Sequence, residues 1–152
     1  MLLSEVFLRL GGEYFATLVR GISIGKLRTY QMYEPFKTRA RLAKLNTEAL
    51  RKAIPRFWGR LEEKDEDFAK DLAQCVLLSS LGLIKVVLDF LGVPNEEGFF
   101  SKDLDASAYL TPGWQARVHE NFKGSFAEPA LVFYINHLAW ELDKTASYYN
   151  PA

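Results

Sequence analysis

Apolar residues recur along this chain at intervals of three and four, and few stretches alternate apolar with polar, so the pattern predicts helices rather than sheet. Val6, Phe7, Leu10, Tyr14, Phe15, Leu18 and Val19 form one apolar face and predict a helix over residues 4–20. Gly11 and Gly12 fall in its middle, where glycine weakens a helix and marks a bend, and Gly21 suits its C-terminal cap. Gly21, Gly25 and Pro35 punctuate the next stretch, which predicts a short helix at 26–33 and another at 35–44 that starts on proline. Asn46 predicts an N-cap, and behind it Leu50, Ala53, Ile54, Phe57, Trp58 and Leu61 keep helical spacing. Pro55 predicts a kink or break there, because proline lacks a donor and disfavours α geometry in the residue before it. The charged run 59–67 reads as a solvated connection.

Residues 65–91 predict one long helix, apolar almost all round after Cys75, and Gly92 followed by Pro94 predicts its end. A long connection follows over 93–110, with a short helix at 102–109. Thr111-Pro112 suits the start of a helix that reaches Lys123 and closes at Gly124. The last helix is expected over 128–146. Leu131, Ile135, Leu138 and Leu142 share one of its faces, and Val132, Phe133 and Trp140 load the others, so it too should be buried. The tail from Ser147 reads as frayed. Together these elements predict an all-α fold: a single domain over residues 1–152, an irregular bundle of five to seven helices with the 65–91 and 128–146 helices at its centre.

Composition narrows the function classes. Hydrophobic residues at 49% and charged residues at 25% suit a globular chain, and aromatics at 14% predict an aromatic core or an aromatic-lined cavity. With Cys75 as its one cysteine, the chain can form neither an intrachain disulfide nor a cysteine zinc cluster. The N-terminus lacks the basic start and cleavage site of a signal peptide, and the apolar run 76–91 is interrupted by Lys85 and Asp89, so a cytoplasmic protein without a membrane span is expected. The net charge of zero hides a split. Residues 1–60 carry twelve Lys and Arg against four Asp and Glu, and residues 61–152 carry seven against fifteen. The two parts are therefore eight charges positive and eight negative.

Several residues invite chemistry. Gly21-Ile22-Ser23-Ile24-Gly25 matches the serine elbow of hydrolases, but that motif needs a preceding strand, and here a turn between helices is expected. Asp103, Asp105 and Ser107 have the opening spacing of a calcium loop, yet Ala108 and Trp114 stand where its glycine and glutamate belong, so capping is expected instead. Glu96 and Glu97 beside Phe99 and Phe100 read as an anchored loop with its acids in water. His137 and Glu141 are one turn apart on a buried helix, with Asn136 beside them and His119 and Glu120 on the preceding helix. Such a pair can be structural, can touch a ligand, can serve an enzyme as base and orienting partner, or can be half of a metal site that His119 and Glu120 would complete, the structural pairing being the leading expectation.

The leading expectation is a non-enzymatic helical domain that binds a small apolar or aromatic ligand or another protein. His137, Glu141, Asn136, Tyr134 and Trp114 supply the polar contacts, since ligand pockets are mostly apolar with a few placed polar groups. No metal and no cofactor is expected, and the charge split allows a homodimer. One alternative is a nucleic-acid-binding regulator using the basic window 28–60. There Arg28, Lys37, Arg39, Arg41, Lys44 and Arg60 accompany Arg51, Lys52 and Arg56, which would meet phosphates from the second helix of a helix-turn-helix outline. The other is an enzyme working through His137 and Glu141.

Overall fold

The computed structural model describes residues 1–30, 42–101 and 103–151. The described chain is all-α, with nine α-helices and no strand beyond two isolated bridges. It divides into two compact units, 1–79 and 80–152.

The first unit holds α1 (Leu3–Arg9), α2 (Gly12–Arg20), α3 (Ile24–Tyr30), α4 (Thr47–Lys52), α5 (Ile54–Glu62) and α6 (Glu66–Ser79). The expected 4–20 helix is thus two helices. Gly11 takes φ +87°, a conformation open to glycine, so the chain turns there and does not merely bend. The expected break before Pro55 is present: α4 stops at Lys52 and Pro55 sits in the first turn of α5. Asn46 caps α4, its Oδ1 accepting the Ala49 N–H at 2.8 Å. The charged run 59–67 is not mainly a connection, because α5 continues to Glu62 and buries Leu61. The helix expected at 35–44 lies mostly outside the described residues.

Inside this unit α1 packs on α5 and α6, α2 on α4 and α5, and α3 on α6. Rings meet at these contacts: the buried Phe7 with the buried Phe15 at 6.0 Å, Phe15 with the half-buried Trp58 at 5.1 Å, and the buried Phe57 with the buried Phe68 at 5.3 Å. Each fully buried phenylalanine contributes about 1.5–3 kcal/mol. Helix α1 has no capping side chain of its own. The Glu66 carboxylate, from the first turn of α6, accepts the Leu3 and Ser4 N–H groups at 2.8 and 3.2 Å and so places a negative charge at the positive end of α1.

The second unit holds α7 (Leu81–Leu91), a 3₁₀ turn (Ala106–Ala108), α8 (Trp114–Phe122) and α9 (Glu128–Leu142). The long 65–91 helix is therefore interrupted. At the interruption the Ser79 hydroxyl donates to Cys75 O and accepts the Ser23 N–H, both at 2.8 Å, and Ser80 leaves helical geometry at φ −125°, ψ 28°. Hydroxyls that bond the backbone compete with the helix ladder, which periodicity does not register. Gly92 ends α7 in the left-handed conformation, and Val93 N–H reaches back to Leu88 O at 2.9 Å. Gly113 at φ +82° starts α8, so Thr111 and Pro112 form the turn before the helix and not its cap. Helix α9 stops at Leu142 and is buried at every position from Leu131 to Ala139. No single helix among the described residues is long and apolar enough to cross a membrane.

Candidate functional site

The polar residues of the second unit sort into three groups along α8 and α9. The first holds the tail. Asn136 is buried, its amide N–H groups donate to Val132 O and Tyr149 O at 3.0 Å each, and its Oδ1 accepts the Tyr149 N–H at 2.7 Å. Gln115 donates to Ser147 O at 3.1 Å, and the Tyr149 ring lies 5.6 Å from the His119 ring. His119 Nε2 meets Glu128 Oε1 at 2.6 Å and so joins α8 to α9. The tail is therefore tied down and not frayed. The sequence holds no local sign of this, because the bonds join residues thirteen and thirty-two positions apart.

The second group is Tyr134, His137 and Glu141, which the helix brings to one face at i, i+3 and i+7. The Tyr134 hydroxyl and His137 Nδ1 are buried and hydrogen-bond to nothing among the described residues. Glu141 Oε2 lies 3.8 Å from His137 Nδ1, too far for a hydrogen bond. Burial pulls the His137 imidazole down to about 4, and burial followed by the Glu141 charge pushes the Tyr134 phenol far above its ordinary value. Both rings are neutral near pH 7. His137 packs between Phe133 and Trp140, with ring centres at 5.7 and 5.5 Å.

The third group surrounds a cleft of about 620 Å³. It opens between residues 106–115 and 142–147, where the 3₁₀ turn and the start of α8 face the end of α9. Trp114 lines it, and its indole N–H donates to Asp143 Oδ2 at 3.1 Å. The other Asp143 oxygen accepts the Thr145 hydroxyl at 2.8 Å, so one carboxylate sets both the wall and the loop opposite. Leu110, Pro112 and Leu142 supply apolar surface, and Thr111, Gln115 and Ser147 supply donors and acceptors.

Of the five residues expected to touch a ligand, Trp114 lines the cleft, while Asn136, Tyr134, His137 and Glu141 are not among its lining residues. The sequence reading missed Asp143 and Gln115, whose roles depend on a tail it treated as loose. Among the described residues no three of His, Cys, Asp and Glu converge as a metal set. Ser23 sits in the turn between α2 and α3, where its hydroxyl accepts the Lys26 N–H at 3.3 Å. Asp105 caps the 3₁₀ turn through the Ser107 N–H, as expected of it. In the first unit Arg51, Lys52 and Arg56 are exposed on α4 and α5. Lys52 reaches Glu48 at 4.0 Å, and Arg28 donates to Ala43 O at 3.1 Å. Lys37, Arg39 and Arg41 lie outside the described residues. No protein-family model, curated protein or solved structure matches this chain.

Proposed function

We propose that this chain is a non-enzymatic binding module whose second unit takes a small, partly apolar molecule in the cleft walled by Trp114. The cleft's size carries the reading: about 620 Å³ falls within the range that small-molecule sites occupy. Its mixed lining supports it further. A flat apolar body suits Leu110, Pro112 and Leu142, and a polar edge suits Thr111 and Gln115. Neither histidine lines the cleft: His119 pairs with Glu128 between α8 and α9, and His137 is buried, which supports a binding rather than an acid–base role for this site.

The test is a titration of the isotope-labelled protein with small apolar and aromatic compounds, followed by amide NMR. Binders are expected to move signals of residues 106–115 and 142–147 and to raise the melting temperature. Asp143→Ala, which unpins the Trp114 wall, is expected to weaken binding about tenfold, the equivalent of one charge-assisted hydrogen bond. If no compound at millimolar concentration moves those signals, the cleft is surface relief and the reading is lost.

A further inference from the structure

One wall of the cleft is loop. Helix α9 ends at Leu142, and residues 143–147 then run along the opening and carry Lys144, Thr145 and Ser147 into its lining. Asp143 ties the near end of this loop to the Trp114 indole at 3.1 Å. The tail ties its far end. Gln115 Nε2 donates to Ser147 O at 3.1 Å. Two residues on, the buried Asn136 side chain takes the Tyr149 backbone from both sides, accepting its N–H at 2.7 Å and donating to its C=O at 3.0 Å. The Tyr149 ring rests 5.6 Å from the ring of His119, which Glu128 holds at 2.6 Å. No residue from 143 to 150 is itself buried, so hydrogen bonds and one ring contact hold this segment where core packing holds the helices. Segments held this way open independently of the core. Opening takes from the buried Asn136 Oδ1 the donor it has in Tyr149, which favours the anchored form.

We infer that the tail is a strap for the cleft: Tyr149 seated on Asn136 holds residues 143–147 in place as a wall, and release of Tyr149 loosens that wall and weakens binding. The inference rests on the reading of the cleft as a ligand site and adds how that site is regulated. Two states are involved, tail anchored and tail released, and a ligand that uses the wall binds the anchored state better. Linkage makes the effect reciprocal, so the ligand tightens the tail by the same factor as the tail tightens the ligand. Gln115 joins the two events, because it lines the cleft and donates to the strap at once.

Amide NMR of the full chain tests the strap with and without ligand. Tyr149→Pro removes the N–H that Asn136 accepts, and Tyr149→Phe keeps both that N–H and the ring. With no compound present, relaxation is expected to show residues 144–147 as rigid as α9 in the wild type and in Tyr149→Phe. In Tyr149→Pro they are expected to become mobile while α8 and α9 keep their helical signals. For those small apolar and aromatic compounds that bind the wild type, Tyr149→Pro is expected to weaken affinity about tenfold and Tyr149→Phe to restore it. Saturation with such a compound is expected to slow hydrogen exchange of the Tyr149 N–H by a similar factor. A wall that stays rigid in Tyr149→Pro overturns the strap before any compound is added. Equal or tighter binding by Tyr149→Pro overturns it too, and leaves the cleft reading standing. If no compound binds the wild type, the cleft reading falls and the strap's effect on binding falls with it.

Discussion

His137 and Asn136 are neighbours on one buried helix, and they differ in what their surroundings give them. Asn136 has every polar atom in use and anchors the tail. His137 keeps an unbonded nitrogen in an apolar pocket and is neutral because burial penalises its charge. That has a pH consequence. With a folded value of about 4 against about 6.5 when unfolded, the unfolded chain binds the extra proton first. Stability from this group is full above pH 6.5 and is lost as pH falls towards 4, by roughly 3 kcal/mol at most. His137→Phe is expected to flatten the pH dependence of urea unfolding over that window. An unchanged slope between pH 6.5 and 4 would show that other groups cause it. The pairing of residues 137 and 141 on one face is readable from spacing, but the 3.8 Å that separates Glu141 Oε2 from His137 Nδ1 is not.

At the level of elements, the chain depends on clamps at helix ends. Asp65 is the clearest. One oxygen accepts the Arg60 guanidinium at 2.7 Å and the other accepts the Phe68 N–H at 3.1 Å, while the Arg60 guanidinium lies over the Phe68 ring at 4.1 Å. The Arg60 bond, and then the Phe68 N–H, hold the Asp65 carboxyl below its usual range. Asp65→Ala is expected to cost about 1–2 kcal/mol in chemical denaturation, the usual loss for an N-cap. A loss within experimental error would mean that solvent replaces the clamp. Breaks marked by Pro55 and Gly92 are legible in the sequence, because those residues act on the backbone locally. The break at Ser79–Ser80 is not, because it depends on a bond from Ser79 to the distant Ser23 N–H.

At the level of the molecule, the two compact units each carry their own tryptophan probes: Trp58 in the first, Trp114 and Trp140 in the second. Fluorescence of a Trp58→Phe variant reports the second unit, and that of a Trp114→Phe, Trp140→Phe variant reports the first. Their urea transitions are expected to have separate midpoints, since each unit has a core of its own. Coincident midpoints would show that the chain unfolds as one cooperative body.

The all-helical class, the Asn46 cap, the burial of 131–139 and the stops at Pro55 and Gly92 follow from residue type and spacing alone, because helices are held by bonds and faces that repeat within a few residues. The anchored tail, the Trp114–Asp143 wall and the interruption after Ser79 arise only once the chain is folded. Each depends on polar groups far apart in sequence satisfying one another away from water, and no local pattern encodes which distant partner a buried donor will find.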